Sequence, residues 1–322
     1  MLTPLDFLAD LSNPLLAFLP KALLVATLSA IVCAVVGCHV VLRGMTFIGD
    51  AVAHAVFPGI AVAFVLQGSL LLGGVVAGVV TAVLIAILGQ SRRLRTDSVI
   101  GVLMVGMFAL GIVVMSRAPG YSGSLSSFLF GSITGIPDSA VLVVGGGTVL
   151  VLGLLMLLHR PLVAAGLDRG YAQALGLPVL VLDIALSVLV TLAVVMSIQT
   201  IGNVLVIALL VTPAAAARML TDRLVSMMLT AAAIGCASAV LGIYLSWSLD
   251  LPTGGTIVLV CTAVFALAWA FGPRHGVLRR AKARPGDGAP TAAAAVPAPA
   301  AARAQKGVES VETAPIGASM HA

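Results

Sequence analysis

Charged side chains make up only 9% of this 322-residue sequence and aromatics 5%, and lysine occurs three times, at Lys21, Lys282 and Lys306. A chain so poor in charge and 60% hydrophobic, with a mean hydropathy of +1.17, has more apolar surface than a soluble interior can enclose. Such a composition needs lipid as its solvent. The lysines follow Pro20, Ala281 and Gln305, so the Gly-Lys-Ser/Thr core of a phosphate loop is missing and ATP is not bound by that motif. Cys33, Cys38, Cys236 and Cys261 all stand inside apolar runs without a Cys-x-x-Cys pair, which argues for small helix-packing residues over disulfides or a zinc ribbon. The segment from Met1 to Pro20 lacks the basic start, short apolar core and cleavage site of a secretory leader, so no removable targeting peptide is expected. A pI near 9.4 would suit nucleic acid if the positive charge formed a patch. It is scattered over short loops instead, so no nucleic-acid partner is expected.

What the sequence does contain is apolar runs of roughly 17 to 23 residues, long enough to cross a bilayer core of about 30 Å. They lie at 21–42, 47–66, 69–89, 99–116, 139–158, 178–200, 203–217, 225–247 and 254–272. The fold class is therefore all-α, a polytopic transmembrane bundle of about nine spans. Eight are possible, because the short run at 203–217 carries Pro213 and reads equally as a broken or partial span. Glycines at Gly73, Gly74 and Gly78, and from Gly145 to Gly147, suit close helix contact.

Orientation follows from the basic residues. With nine spans, Arg43, Arg92, Arg93, Arg95, Arg160, Arg169, Arg218, Arg223, Arg274, Arg279, Arg280, Lys282 and Arg284 share one side, and only Lys21 and Arg117 lie opposite. Because basic residues mark cytoplasmic loops, the amino terminus is placed outside and the carboxyl terminus in the cytoplasm. The expected organisation is an extracytoplasmic segment at 1–20, a transmembrane domain at 21–272 and a tail at 273–322. That tail is rich in Ala, Pro and Gly with few large apolar side chains, and is expected to be disordered and cytoplasmic.

Ionisable groups inside a span are costly, so the few present are the candidates for function. The densest group is GDAVAHAVFPG at 49–59. Asp50 and His54 are four residues apart, which puts them on one helix face where both can reach one ion. Carboxylate oxygen and imidazole nitrogen are good ligands for a divalent transition metal. Pro58 has no N–H to offer the carbonyl of His54 four residues back, so a helix kink with a free carbonyl is expected. For an isolated pair the plainer reading leads: Asp50 as a helix cap and His54 as a packing histidine. Two ligands per chain do not close a site, but two copies meeting on a two-fold axis would supply two Asp and two His, a set suited to tetrahedral zinc or, with waters, to manganese.

Between the fifth and sixth spans, HRPLVAAGLDRGYAQALGLPV at 159–179 offers Tyr171, Ala172, Leu175 and Leu177 as a small apolar surface beside Asp168 and Arg169. It reads equally as a short docking helix or as an interfacial helix lying on headgroups. His39 beside Cys38 reads as a helix-end histidine ahead of a further ligand. Asp183, early in the sixth span, reads as the partner of an arginine or a helix end ahead of a metal ligand.

Five ordered segments, VLRGMTFIGDAVAHAVFPGIA, TDSVIGVLMVGMFALGIVVMS, SLSSFLFGSITGI, LDRGYAQALGLPV and IGNVLVIALLVTPAAAARML, resemble the permease subunit of the bacterial zinc and manganese ABC importers over roughly residues 20–272. The resemblance implies a type II ABC importer-like permease in the bacterial cytoplasmic membrane, paired with a second copy of itself. It receives metal from an extracytoplasmic metal-binding protein and is driven by a separate cytoplasmic ABC ATPase subunit. Asp50 and His54 are then the metal contacts, and Asp168 through Gly176, with Arg169, Tyr171 and Ala172, form the ATPase-docking helix. No permanent cofactor is implied, only transported Zn2+ or Mn2+, with zinc slightly ahead on the half-nitrogen ligand set. The alternative is a secondary transporter or channel for metal ions that needs no ATPase. A membrane metalloenzyme is disfavoured because no second carboxylate or further histidine lies at ligand spacing.

Overall fold

The computed structural model describes residues 18–90, 96–116 and 136–272, together with Phe7, Asp10, Leu11, Asn13 and Leu16. The tail expected at 273–322 lies outside the described residues, as do positions 91–95 and 117–135, Arg117 among them. Helices account for the fold, with no strand among the described residues. They are α1 (Phe18–Leu42), α2 (Ile48–Val65), α3 (Leu70–Leu88), α4 (Thr96–Ser116), α5 (Asp138–Leu157), α6 (His159–Leu167), α7 (Arg169–Ala174), α8 (Val179–Ile201), α9 (Asn203–Leu220), α10 (Leu224–Leu249) and α11 (Thr253–Phe271). All but α6 and α7 are long and apolar enough to cross a membrane, which gives nine candidate spans among the described residues. A helix satisfies every backbone group within its own segment, which hydrocarbon demands.

The run at 203–217 is one of these spans and is not broken: α9 runs continuously from Asn203 to Leu220 with Pro213 inside it. The break lies just before it, where Gly202 at φ +85 separates α8 from α9. That backbone conformation costs a side-chain-bearing residue energy and costs glycine little.

Helix α1 is the centre of the bundle, 72% buried along its apolar window, and packs against α5, α8, α9 and α10. Helices α9, α10 and α11 pack on one another beside it, while α2, α3 and α4 form a second group. Helix α8 bridges the two groups, touching α1, α2, α3 and α5. In the single chain α4 is only 17% buried, which leaves its apolar face for lipid or a second protomer.

Small residues let the backbones approach. A Cβ added to Gly73 of α3 would stand 2.5 Å from the carbonyl oxygen of Gly59 on α2, and one added to Gly59 would collide with the Gly73 carbonyl in return. Gly78 faces Thr191 of α8 at 2.6 Å in the same sense. Of the second glycine group, Gly147 abuts Met196 while Gly146 faces open space. The four cysteines are free; Cys33, Cys38 and Cys261 are buried and Cys236 is half-buried, consistent with packing roles.

Candidate metal-transfer site and docking segment

Helix α2 begins at Ile48 after Phe47, whose side chain makes no capping hydrogen bond, so Asp50 lies in the first turn and is not the cap residue. Its charge there is favourable toward the helix N-terminus, but its contact is with His54: Nε2 lies 3.4 Å from the Asp50 Oδ1. Both side chains remain partly exposed in the single chain, 30% for Asp50 and 26% for His54, while Ala51, Val52, Ala53 and Ala55 around them are buried. The local sequence alternates two polar groups on one face with small apolar residues on the other, so α2 buries its small face in the bundle and leaves the pair accessible.

One flank of the pair is aromatic. Phe108 of α4 meets the His54 ring edge to face at 5.0 Å and lies 6.0 Å from Phe57. Helix α2 continues through Pro58, and α4 crosses beside it at Gly111, where a Cβ would stand 3.0 Å from the Pro58 nitrogen. Among the described residues no group of three or more His, Cys, Asp or Glu is placed to hold a metal ion, so the chain by itself brings two donors to this position.

The segment between the fifth and sixth spans folds as α6 and α7. Asp168 is the cap of α7: its Oδ1 accepts from the Gly170 N–H at 2.7 Å and the Tyr171 N–H at 3.1 Å. Gly176 closes the helix at φ +75 while the Leu177 N–H donates to the Ala172 carbonyl at 3.0 Å. Ala172 is fully buried against the permease, whereas Leu167, Tyr171 and Leu175 are exposed. The outward apolar surface is thus made by Leu167, Tyr171 and Leu175.

Arg169 turns inward. Its Nη2 donates to the Asp183 Oδ2 at 3.1 Å, and the Arg43 Nη1 donates to the Asp183 Oδ1 at 2.5 Å. Arg43 also donates through Nη2 to the Leu162 carbonyl of α6 at 3.1 Å. Burial lowers the Arg43 pKa from its ordinary value, and the charge and hydrogen bond of Asp183 oppose that shift. Asp183 is therefore the arginine partner that its position suggested. Arg43 was not singled out as a site residue by sequence; the available signal was an arginine directly after an apolar span and an aspartate inside another span that needs a cation.

His39 is buried and meets His159 edge to face at 5.8 Å, so its described aromatic neighbour is another histidine at the start of α6, not the Asp50 pair. At the other end of the bundle Lys21 of α1 pairs with Asp138 of α5, and the Trp247 Nε1 donates to the Asp10 Oδ2 at 3.0 Å. The starts of α1 and α5 sharing one end, and Arg43, Arg169 and Asp183 the other, fit alternating spans.

Membrane-length helices that keep an ionisable pair partly accessible on α2 are an arrangement suited to a transport permease. The chain matches the ABC 3 transport family over residues 16–272 and belongs to it. It is 42% identical over 264 residues to the manganese transport system membrane protein MntC of Halalkalibacterium halodurans, covering 82% of this chain and 90% of that one. It is 37% identical over 261 residues to the chelated iron transport system membrane protein YfeC of Yersinia pestis, covering 81% of this chain and 88% of that one. Among solved structures, PsaBC from Streptococcus pneumoniae in complex with Fab superposes with a TM-score of 0.77 at 31% identity, covering 87% of this chain and all of that one.

Proposed function

We propose that this chain is the membrane-spanning permease subunit of an ATP-driven importer of divalent transition metal ions, working as a pair of identical subunits in the bacterial cytoplasmic membrane. The observation that carries the reading is the Asp50–His54 pair, one turn apart and partly exposed on α2, in a chain of the ABC 3 transport family. Two protomers would bring two carboxylates and two imidazoles to the ion, a set that zinc accepts tetrahedrally and manganese accepts with added water. Manganese leads as cargo because relatives such as MntC of Halalkalibacterium halodurans are named for it, with zinc second.

In this reading an extracytoplasmic binding protein delivers the ion to the end of the bundle where Lys21 and Asp138 meet, and a separate cytoplasmic ATPase docks at the end carrying α6 and α7. The positive-inside asymmetry supports that orientation, with the amino terminus outside and the carboxyl terminus in the cytoplasm. The lack of a phosphate loop supports ATP hydrolysis on a separate subunit. Residues 1–20, 21–272 and 273–322 then serve as outer segment, permease and cytoplasmic tail.

The test is uptake of radioactive manganese and zinc into liposomes holding the permease with its ATPase and binding protein. ATP-dependent uptake of either ion, lost when the ATPase is inactivated, is the expected result. Uptake that persists without ATP would assign a secondary transporter or channel instead.

A further inference from the structure

Three segments distant in sequence meet on one carboxylate. Arg43 sits in the turn between α1 and α2, five residues before the start of the metal-pair helix at Ile48. Arg169 opens α7, the docking helix, and Asp183 lies in the first turns of α8. The side chains of Arg43 and Asp183 are 8% and 10% exposed, so the ion pair between them is largely withdrawn from water, while Arg169 reaches in from a 57% exposed position. A carboxylate with one arginine on each oxygen is a fixed joint: each charge-assisted bond constrains direction as well as distance. Removing the joint leaves a buried charge without a partner.

From this joint α8 runs along α2, which bears the metal pair, and α3 beside it. Thr191 on α8 approaches the Gly78 carbonyl of α3 at 3.5 Å, and Val52, between Asp50 and His54, packs within 3.7 Å of where a Gly78 Cβ would stand. The packed route from α7 to the metal pair is therefore continuous through α8, and the Arg43 turn gives a second, direct attachment to α2.

We propose that Asp183 is the positioning residue that joins the ATPase-docking segment to the metal-pair helix, holding Arg169 of α7 and Arg43 of the α1–α2 turn on its two oxygens so that movement of one displaces the other. The inference rests on the reading of α6 and α7 as the docking segment. With the joint intact, a shift of α7 driven by the ATPase pulls on Asp183 and Arg43 together and changes the setting of α2. Without it the ATPase still docks and hydrolyses ATP, but the metal pair does not follow.

The experiment measures ions moved per ATP hydrolysed in liposomes containing permease, ATPase and binding protein, together with ATPase co-purification and the apparent KM for manganese. Arg43→Gln is the principal variant: the Arg43 side chain is withdrawn from the surface and adds nothing to the outward faces of Tyr171 and Leu175, and its loss leaves Asp183 paired with Arg169. It is expected to leave ATPase co-purification and the apparent KM unchanged while lowering ions moved per ATP roughly tenfold, a factor ordinary for coupling between two sites. Arg43→Lys should restore most of the loss, and Asp183→Asn should reproduce it wherever that variant still inserts. Full transport per ATP in Arg43→Gln would overturn the joint, as would a loss of transport matched by equal loss of ATPase binding. Failure of the unmodified chain to bind the ATPase would overturn the docking reading and the joint with it, an outcome distinct from the other two.

Discussion

His54 Nε2 lies 3.4 Å from the Asp50 Oδ1 on the same face of α2, and the cap residue of that helix is Phe47, not Asp50. The aspartate therefore faces its histidine. Both donors are partly exposed in the single chain, which is where an ion shared with a second copy would enter. Replacing Asp50 or His54 with alanine removes one donor per chain and leaves the buried small face of α2 intact. We expect insertion and dimer formation to be retained, and metal uptake to fall at least tenfold, by analogy with the ~10–100-fold losses typical of weakened metal sites. Normal uptake by both variants would remove the assigned site.

Topology is open to cysteine labelling. Three of the four native cysteines are buried and Cys236 is half-buried, so a background with Cys236 replaced by serine should label little. A cysteine placed at Asp222, in the connection between α9 and α10, or at Leu167, the exposed last residue of α6, should react only with reagent on the cytoplasmic side. One at Leu251, between α10 and α11, should react only from outside. Labelling of Leu251→Cys from the cytoplasm would reverse the assigned orientation.

Which helices exist was legible in the sequence because lipid imposes one simple demand, a long apolar run with its backbone paired internally. The weak run at 203–217 misled only because Pro213 suggests interruption; neighbouring helices accommodate such a proline, and the true interruption is at Gly202, whose positive φ no apolar count reveals. The Asp50–His54 pair was legible because a four-residue spacing fixes the face. The Asp183 contact with Arg43 was only half legible: an aspartate in a span asks for a cation, but the one it finds is 140 residues away in sequence. Gly176 and Asp168 carry local duties, ending and capping α7, that a docking reading of the same residues does not require.

Gly59 and Gly73 predict a stability effect independent of transport. Their backbones approach too closely for a Cβ on either, and the obstacle is carbonyl oxygen, not the end of a flexible side chain. Gly73→Val should force α2 and α3 apart, at a cost of about 1–3 kcal/mol or more, as overpacking usually does. Gly153 of α5 faces open space, so Gly153→Ala should be neutral or gain up to about 1 kcal/mol in helix propensity. Thermal unfolding in detergent reads both, and a Gly73→Val protein as stable as the parent would contradict the close contact.

The last prediction separates the outer and inner faces of α7. Tyr171 is 60% exposed and Leu175 57%, whereas Ala172 on the same short helix is fully buried. If the helix inserts into a groove on the ATPase, the exposed pair forms the contact, and placing a charge there leaves an unpaired ion in a closed interface. Leu175→Glu and Tyr171→Ala should therefore weaken ATPase co-purification, by about 1 kcal/mol or more each if they are energetic anchors, while the permease alone keeps its thermal stability. Ala172→Glu should act differently. It forces a carboxylate into the permease interior, so its first effect is on the permease's own stability, and loss of ATPase binding follows from that. Gly176→Trp belongs with Ala172→Glu, because any side chain at φ +75 strains the turn that ends α7 even though space around it is open. Truncation after Lys282 should change neither stability nor binding. The measurements are ATPase co-purification and melting temperature for each variant. Full binding and full metal-stimulated ATP hydrolysis by Leu175→Glu and Tyr171→Ala would make α7 a helix that lies on the membrane surface and would move the ATPase contact elsewhere.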